Sequence, residues 1–194
     1  MIPVIEAFVR TVDFMDRLRK EGHVRDYALI GGLALSAWAE PRNTRDVDLV
    51  VAVAEGTTWP GIAALVESRF RKKTVVKKGT RRTTIQDKLS FVAGQIEVDQ
   101  IGTRGFALAE EAMENALVAT VFGRKVKIAT PEYLILLKLI PLGAQDRIDI
   151  GTLINKADRR KLRSLARKHF LLTRLDAVLQ EARAARSKTV AEKK

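Results

Sequence analysis

The chain has 194 residues, enough for one domain or one domain with a small appendage. Hydrophobic residues at 46% and charged residues at 30% are the balance of a globular protein and not of a disordered one. The absence of cysteine excludes disulfides, thiolate zinc sites, iron–sulfur clusters and a cysteine nucleophile, and 35 Lys and Arg against 23 Asp and Glu leave a net charge of +12.

The predicted elements run as follows. Ile5, Phe8, Val9 and Val12 recur at helical spacing, so Val4–Lys20 reads as an amphipathic helix. Tyr27–Ile30 is a short apolar strand broken by Gly31-Gly32. Leu33–Ala39 then reads as a short helix stopped by Pro41. Asp46–Val53 is a β-branched strand. Ile62, Leu65, Val66 and Phe70 mark a helix, and Lys73–Lys77, Thr83–Val92 and Gln95–Ile101 read as a three-stranded meander.

Ala107–Asn115 is expected to be helical, with strands at Ala116–Phe122 and Lys125–Ile128 around Gly123. Thr130-Pro131-Glu132 has the hydroxyl, proline and acid of a helix start, and that helix runs to about Ile140. The remainder reads as helix. Leu162, Leu165, Ala166 and Phe170 form one apolar stripe and Leu175, Val178, Leu179 and Ala182 another, with a frayed polar tail from Ser187. The expectation is an α/β (α+β) protein: a small mixed sheet flanked by helices over 1–150, then a basic helical segment over 151–194. No apolar run is long enough to span a bilayer, and Met1-Ile2-Pro3-Val4-Ile5-Glu6 lacks the basic and apolar regions of an export signal. A cytoplasmic protein without membrane contact is expected.

The chemistry sits at one place. Asp46 and Asp48 are two apart on a strand, so both carboxylates project to one face. Adjacent acids repel and lose solvation on burial unless a cation neutralises them, and Mg2+ or Mn2+ prefers such oxygen ligands. Gly31-Gly32 lies at a strand-to-helix turn, where backbone N–H groups without a neighbouring Cβ can approach phosphate. A phosphate cradle followed by a metal-binding acid pair is equipment for phosphoryl or nucleotidyl transfer. A third carboxylate would come from Glu97 or Asp99, which share a face; Asp99 is preferred because it lies nearer the strand end.

These residues resemble a known family. Gly31-Gly32, the short helix and Asp46-Val47-Asp48 are similar to the signature of the nucleotidyltransferase fold of the DNA polymerase β superfamily. Arg42-x-Thr44-x-Asp46-Val47-Asp48, followed by Leu49-Val50-Val51, resembles the bacterial branch of AbiEii-type abortive-infection toxins and related toxin–antitoxin nucleotidyltransferases. Ala129-Thr130-Pro131-Glu132-Tyr133-Leu134 with Lys138 is similar to that branch's helix after the sheet, and Asp146-Arg147-Ile148-Asp149-Ile150 to its later acidic motif.

The resemblance implies metal-dependent transfer of a nucleoside monophosphate from an NTP such as ATP to an acceptor hydroxyl. It implies that Asp46 and Asp48 hold Mg2+ or Mn2+, and that Asp99 binds a second ion and helps deprotonate the acceptor. Gly31 and Gly32 would cradle the β and γ phosphates, with Arg42, Thr44, Arg45 and Asp149 in the nucleotide site. Lys138 would neutralise phosphate charge, or be an exposed lysine on an apolar helix; Asp149 could instead pair with Arg147 or cap a helix.

Charge concentrates at Arg69–Lys88 and at Gly151–Lys194, where thirteen bases face four acids. Such a distribution is either a solvated face or a track for RNA phosphates. The expected acceptor is RNA, tRNA first, with a protein hydroxyl second. An antitoxin is the expected protein partner, and a non-catalytic RNA-binding or toxin–antitoxin interaction protein that keeps the fold is the alternative.

Overall fold

A computed structural model describes residues 3–40, 43–78 and 87–191, without the side chains of 183–191. The chain forms two compact units, Met1–Thr130 and Pro131–Lys194.

The first unit is built on a seven-stranded mixed sheet of order β3-β4-β5-β2-β1-β7-β6. Its strands are β1 (Val24–Ile30), β2 (Asp46–Val53), β3 (Val75–Lys77), β4 (Lys88–Ala93), β5 (Ile96–Gly102), β6 (Leu117–Val121) and β7 (Arg124–Ile128). β1–β2, β3–β4, β4–β5 and β6–β7 pair antiparallel; β1–β7 and β2–β5 pair parallel. β1 and β2 are central because Tyr27–Ile30 and Leu49–Ala52 are continuous apolar runs, buried throughout, which only a strand covered on both faces can use. Residues 83–86 of the strand expected at Thr83–Val92 lie outside the described residues.

Among the described residues four helices accompany the sheet: α1 (Pro3–Lys20), α2 (Gly31–Leu35), α3 (Trp59–Phe70) and α4 (Ala107–Glu114). Phe8, Thr11, Val12, Met15 and Leu18 of α1 are buried, one face of a helix laid across β1, β2, β4, β5 and β7. Arg124 on β7 donates from Nε and Nη2 to the Asp13 carboxylate at 2.6 and 2.9 Å, tying α1 to the hairpin. α3 packs on β3 and β4, and α4 on β1 and β2.

The helix expected at Leu33–Ala39 is shorter and earlier, Gly31–Leu35. After Leu35 the chain tightens: Ala37 and Trp38 donate to carbonyls three residues back, and the Trp38 indole donates to the Ala129 carbonyl at 2.9 Å. The Ala39 N–H still reaches the Leu35 carbonyl, four residues back, at 3.0 Å.

The second unit is helical: α5 (Pro131–Lys138), α6 (Ala144–Leu153), α7 (Arg159–Lys168) and α8 (Leu172–Ala191). A division after Ile150 was the sequence expectation. By contacts the chain divides after Thr130, and α6 packs on α5 and α8. Buried Glu132 of α5 accepts the Asp158 N–H at 2.7 Å, and Asp158 caps α7 through the N–H groups of Arg160 and Lys161. The stripe expected on α7 is only partly realised. Leu162 and Ala166 are buried, but Phe170 is 95% exposed. The helix ends at Lys168, and Phe170 has φ 58°, so the chain has left helical periodicity before the ring. No helix among the described residues is long and apolar enough to cross a membrane.

Candidate active site

The first half of β2 carries the acid pair. Alternation along the strand leaves Val47 fully buried and the Asp46 and Asp48 side chains half-buried on the other face. In parallel register, Asp46 stands level with Glu97 of β5, and Asp48 level with Asp99. All four carboxylates therefore belong to one face. Asp99 lies in the middle of β5, not towards its end as the sequence suggested; it is register with Asp48 that brings it beside the pair. Glu97 is exposed and Asp99 half-buried.

Two acids of this face, Asp46 and Asp99, are held by named neighbours. The Thr44 hydroxyl donates to Asp46 Oδ1 at 2.6 Å. The Ser90 hydroxyl donates to Asp99 Oδ1 at 2.6 Å, and Lys88 Nζ lies 2.6 Å from Asp99 Oδ2. Lys88 and Ser90 were not singled out from the sequence, where Lys88 counted only within a basic run. A signal was present. Gly94-Gln95 is a two-residue turn pairing Ala93 with Ile96, and counting back sets Ser90 opposite Asp99.

Gly31 has φ +65°, a conformation that disfavours a Cβ. The room left there is filled from within: a Cβ on Gly31 would meet Asp48 Oδ2 at 1.9 Å. The missing side chain therefore serves the close approach of Asp48. Gly32 is buried, and its carbonyl accepts from the Ser36 N–H and hydroxyl. α2 has five residues, so its dipole adds little at the turn. Arg45 is exposed, and Arg42 lies outside the described residues.

Lys138 and Asp149 come together in the second unit. Lys138 Nζ lies 2.6 Å from Asp149 Oδ2 and 3.3 Å from Asp146 Oδ1, with only 11% of the lysine side chain exposed. Gln145 donates to Asp149 Oδ1 at 2.9 Å, and Asp146 also accepts the Gly143 N–H. Lys138 is thus a partly buried, doubly paired cation and not an exposed lysine. Arg147 pairs with Glu181 and not with Asp149.

The donors on the acid face are all carboxylate oxygens, the chemistry of Mg2+ or Mn2+. Asp46 and Asp48, adjacent and half-buried on one face, fit a hard cation. Among the described residues no three carboxylates or histidines are gathered as a ready-made cage. Asp99, the third candidate ligand, is instead engaged by Lys88 and Ser90.

No family model matches the chain and no curated protein matches its sequence. Solved structures do resemble it. An antigenic nucleotidyltransferase-like protein from Paracoccidioides brasiliensis is 19% identical, with a TM-score of 0.55 and 91% of each chain covered. The antibiotic-resistance factor ANT(2'')-Ia in solution is 16% identical, with a TM-score of 0.53 over 92% of this chain and 99% of its own. The same factor in complex with adenylyl-2''-tobramycin is 15% identical, with a TM-score of 0.51 over 82% of this chain and 98% of that one. The chain has the nucleotidyltransferase fold; at these identities the likeness carries the fold alone.

Proposed function

We propose that this protein is a divalent-cation-dependent nucleotidyltransferase that moves a nucleoside monophosphate from an NTP to an acceptor hydroxyl. The observation that carries the reading is the acid face: Asp46 and Asp48 on β2, Asp99 level with Asp48 on β5, and Gly31 closed against Asp48, within a nucleotidyltransferase fold. A protein that only binds a partner has no need to cluster carboxylates whose mutual repulsion is unfavourable without a cation.

In this reading Asp46 and Asp48, joined by Asp99, would hold Mg2+ or Mn2+, which would supply charge neutralisation on the triphosphate. The acceptor oxygen attacks the α-phosphorus, the bond between that phosphorus and the bridging oxygen breaks, and pyrophosphate leaves. Asp99 helps to take the hydroxyl proton, its carboxylate oriented by Ser90 and Lys88. Thr44 orients Asp46, and the N–H groups of Gly31 and Gly32 face the β and γ phosphates, with Arg42 and Arg45 nearby in sequence. RNA, tRNA first, is the acceptor favoured by the charge: Arg159, Arg160, Lys161, Arg163, Arg167 and Lys168 on α7 are all exposed. By the Arg42-x-Thr44-x-Asp46-Val47-Asp48 resemblance, the protein is the toxin of a cytoplasmic toxin–antitoxin or phage-defence pair.

The test is incubation with each α-labelled NTP, Mg2+ and total cellular RNA or total protein. Label in RNA supports the proposal. Label only in protein replaces the acceptor by a protein hydroxyl. Absence of label in every pool, with the cognate antitoxin removed, overturns the enzymatic reading.

A further inference from the structure

Phe170 is 95% exposed, and no other large apolar side chain among the described residues approaches that exposure; the next is Val118 at 67%. Burial does not explain it, and neither does local conformation. Phe170 follows the last turn of α7. Its N–H bonds the Arg167 carbonyl at 3.2 Å, and the Leu171 N–H bonds the Ala166 carbonyl at 2.7 Å. This is the helix-ending turn whose left-handed residue is usually glycine, and Phe170 holds φ 58° there. The buried anchor of the turn is Leu171, not the ring.

The ring also stands at the end of the most basic element in the chain. α7 has no acid between its ends, and the bases named above surround the buried Leu162 and Ala166. Arg163 is paired with Asp176 at 2.6 Å. The sequence neighbours of the ring are Lys168 and half-buried His169 before it and buried Leu171 and half-buried Leu172 after it, so the exposed ring is accompanied by the charge of α7 and by little exposed apolar surface of its own segment. A second copy of this helix would bring like charges together. A polyanion that carries flat, unpaired rings satisfies both features at once: phosphates against the bases and a ring against the ring.

We propose that Phe170 is a stacking platform for an unpaired base of single-stranded RNA whose phosphates follow α7. The inference rests on the reading of RNA as the acceptor and names a residue that binds it. Stacking on a phenyl ring is tolerant of sequence and intolerant of duplex, because a paired base has no free face.

The test uses the full chain and short labelled oligouridylate and oligoadenylate, without NTP, across a range of salt. Phe170→Ala should weaken binding by about tenfold or more, the range seen when a stacking aromatic is lost. The slope of log affinity against log salt should not change, since no phosphate contact is removed. Phe170→Trp should keep the affinity and add a third indole to Trp38 and Trp59, and single-stranded RNA should quench the emission of this variant beyond any change it causes in wild type. Replacing Arg159, Arg160 and Arg163 together by Gln should flatten the salt slope by about two units while leaving that quench at saturation. Phe170→Gly should fold at least as well as wild type, so its lost RNA affinity is not lost structure. Unchanged binding by Phe170→Ala, or emission in Phe170→Trp that saturating RNA changes no more than in wild type, overturns the proposal. So does a change of oligomeric state in Phe170→Ala with RNA affinity intact, which would assign the ring to a second copy. Because NTP is absent throughout, failure of transfer chemistry and failure of this site are separate results.

Discussion

Gly31 and Asp48 occupy one space: the carboxylate of Asp48 fills the position where a Cβ of Gly31 would stand, 1.9 Å from Oδ2 and 2.8 Å from the aspartate's own Cβ. Ile30, the residue before the glycine, is the β1 partner of Asp48, so sheet register enforces the meeting. Glycine here is required twice, by φ +65° and by the acid.

Gly31→Ala should therefore be destabilising well beyond the roughly 1–2 kcal/mol of a left-handed backbone alone. Asp48→Ala in the same background should recover the part due to the carboxylate, at 1.9 Å from Oδ2, and leave the conformational part and the 2.8 Å contact with the Cβ that alanine keeps. Urea denaturation of the two single variants and the double variant reads this coupling directly. Additive losses would show that the two residues do not compete for space.

Asp46→Asn and Asp48→Asn should each abolish nucleotidyl transfer while leaving the circular dichroism spectrum unchanged. Removing close like charges should leave the melting temperature in chelator equal to wild type or higher. Full transfer by either variant would remove the assignment of this pair.

Asp99 and Glu97 separate two roles on one strand face. Asp99 is level with Asp48 and bound by Ser90 and Lys88; Glu97 is exposed and level with Asp46. Asp99→Asn should lower transfer by several orders of magnitude, and Glu97→Gln should lower it little. The reverse order, measured as kcat/KM with one NTP, would assign the third carboxylate to Glu97.

The α7 cap gives a pH dependence. The N–H groups of Lys161 and Arg160 donate to Asp158 and hold its carboxyl below the ordinary value of 3.8. A carboxyl whose folded value is depressed contributes stability above the unfolded value, lost as pH falls through the folded one. Asp158→Ala should thus melt below wild type at neutral pH, and the gap should close as pH is lowered through and below 3.8. A gap that persists at lower pH would mean that packing, and not the charged cap, holds the start of α7.

Local periodicity was enough to read much of this protein from its sequence. Asp46–Val53 reads as a strand because β-branched residues alternate around two acids, and that strand is present with those ends. The shared face of Asp46 and Asp48 follows from the period of two, a property of extended backbone that needs no partner. The helix of α1, the β6–β7 hairpin around Gly123 and the proline-led start of α5 follow from equally local rules.

Everything that joins separate segments was decided by tertiary structure. The pairing of β2 with β5 sets Asp99 level with Asp48, and no spacing along the chain encodes the register between strands so far apart. The ion pair of Lys88 with Asp99, the filling of the Gly31 position by Asp48, and the grouping of α6 with α5 and α8 share that origin. Phe170 shows the limit most plainly. Its spacing from Ala166 continues a helical stripe, yet the Leu171 N–H closes on the Ala166 carbonyl and turns the chain one residue earlier. Hydrophobic spacing states where a side chain would point if the helix continued; the hydrogen bonds that end the helix decide whether it does.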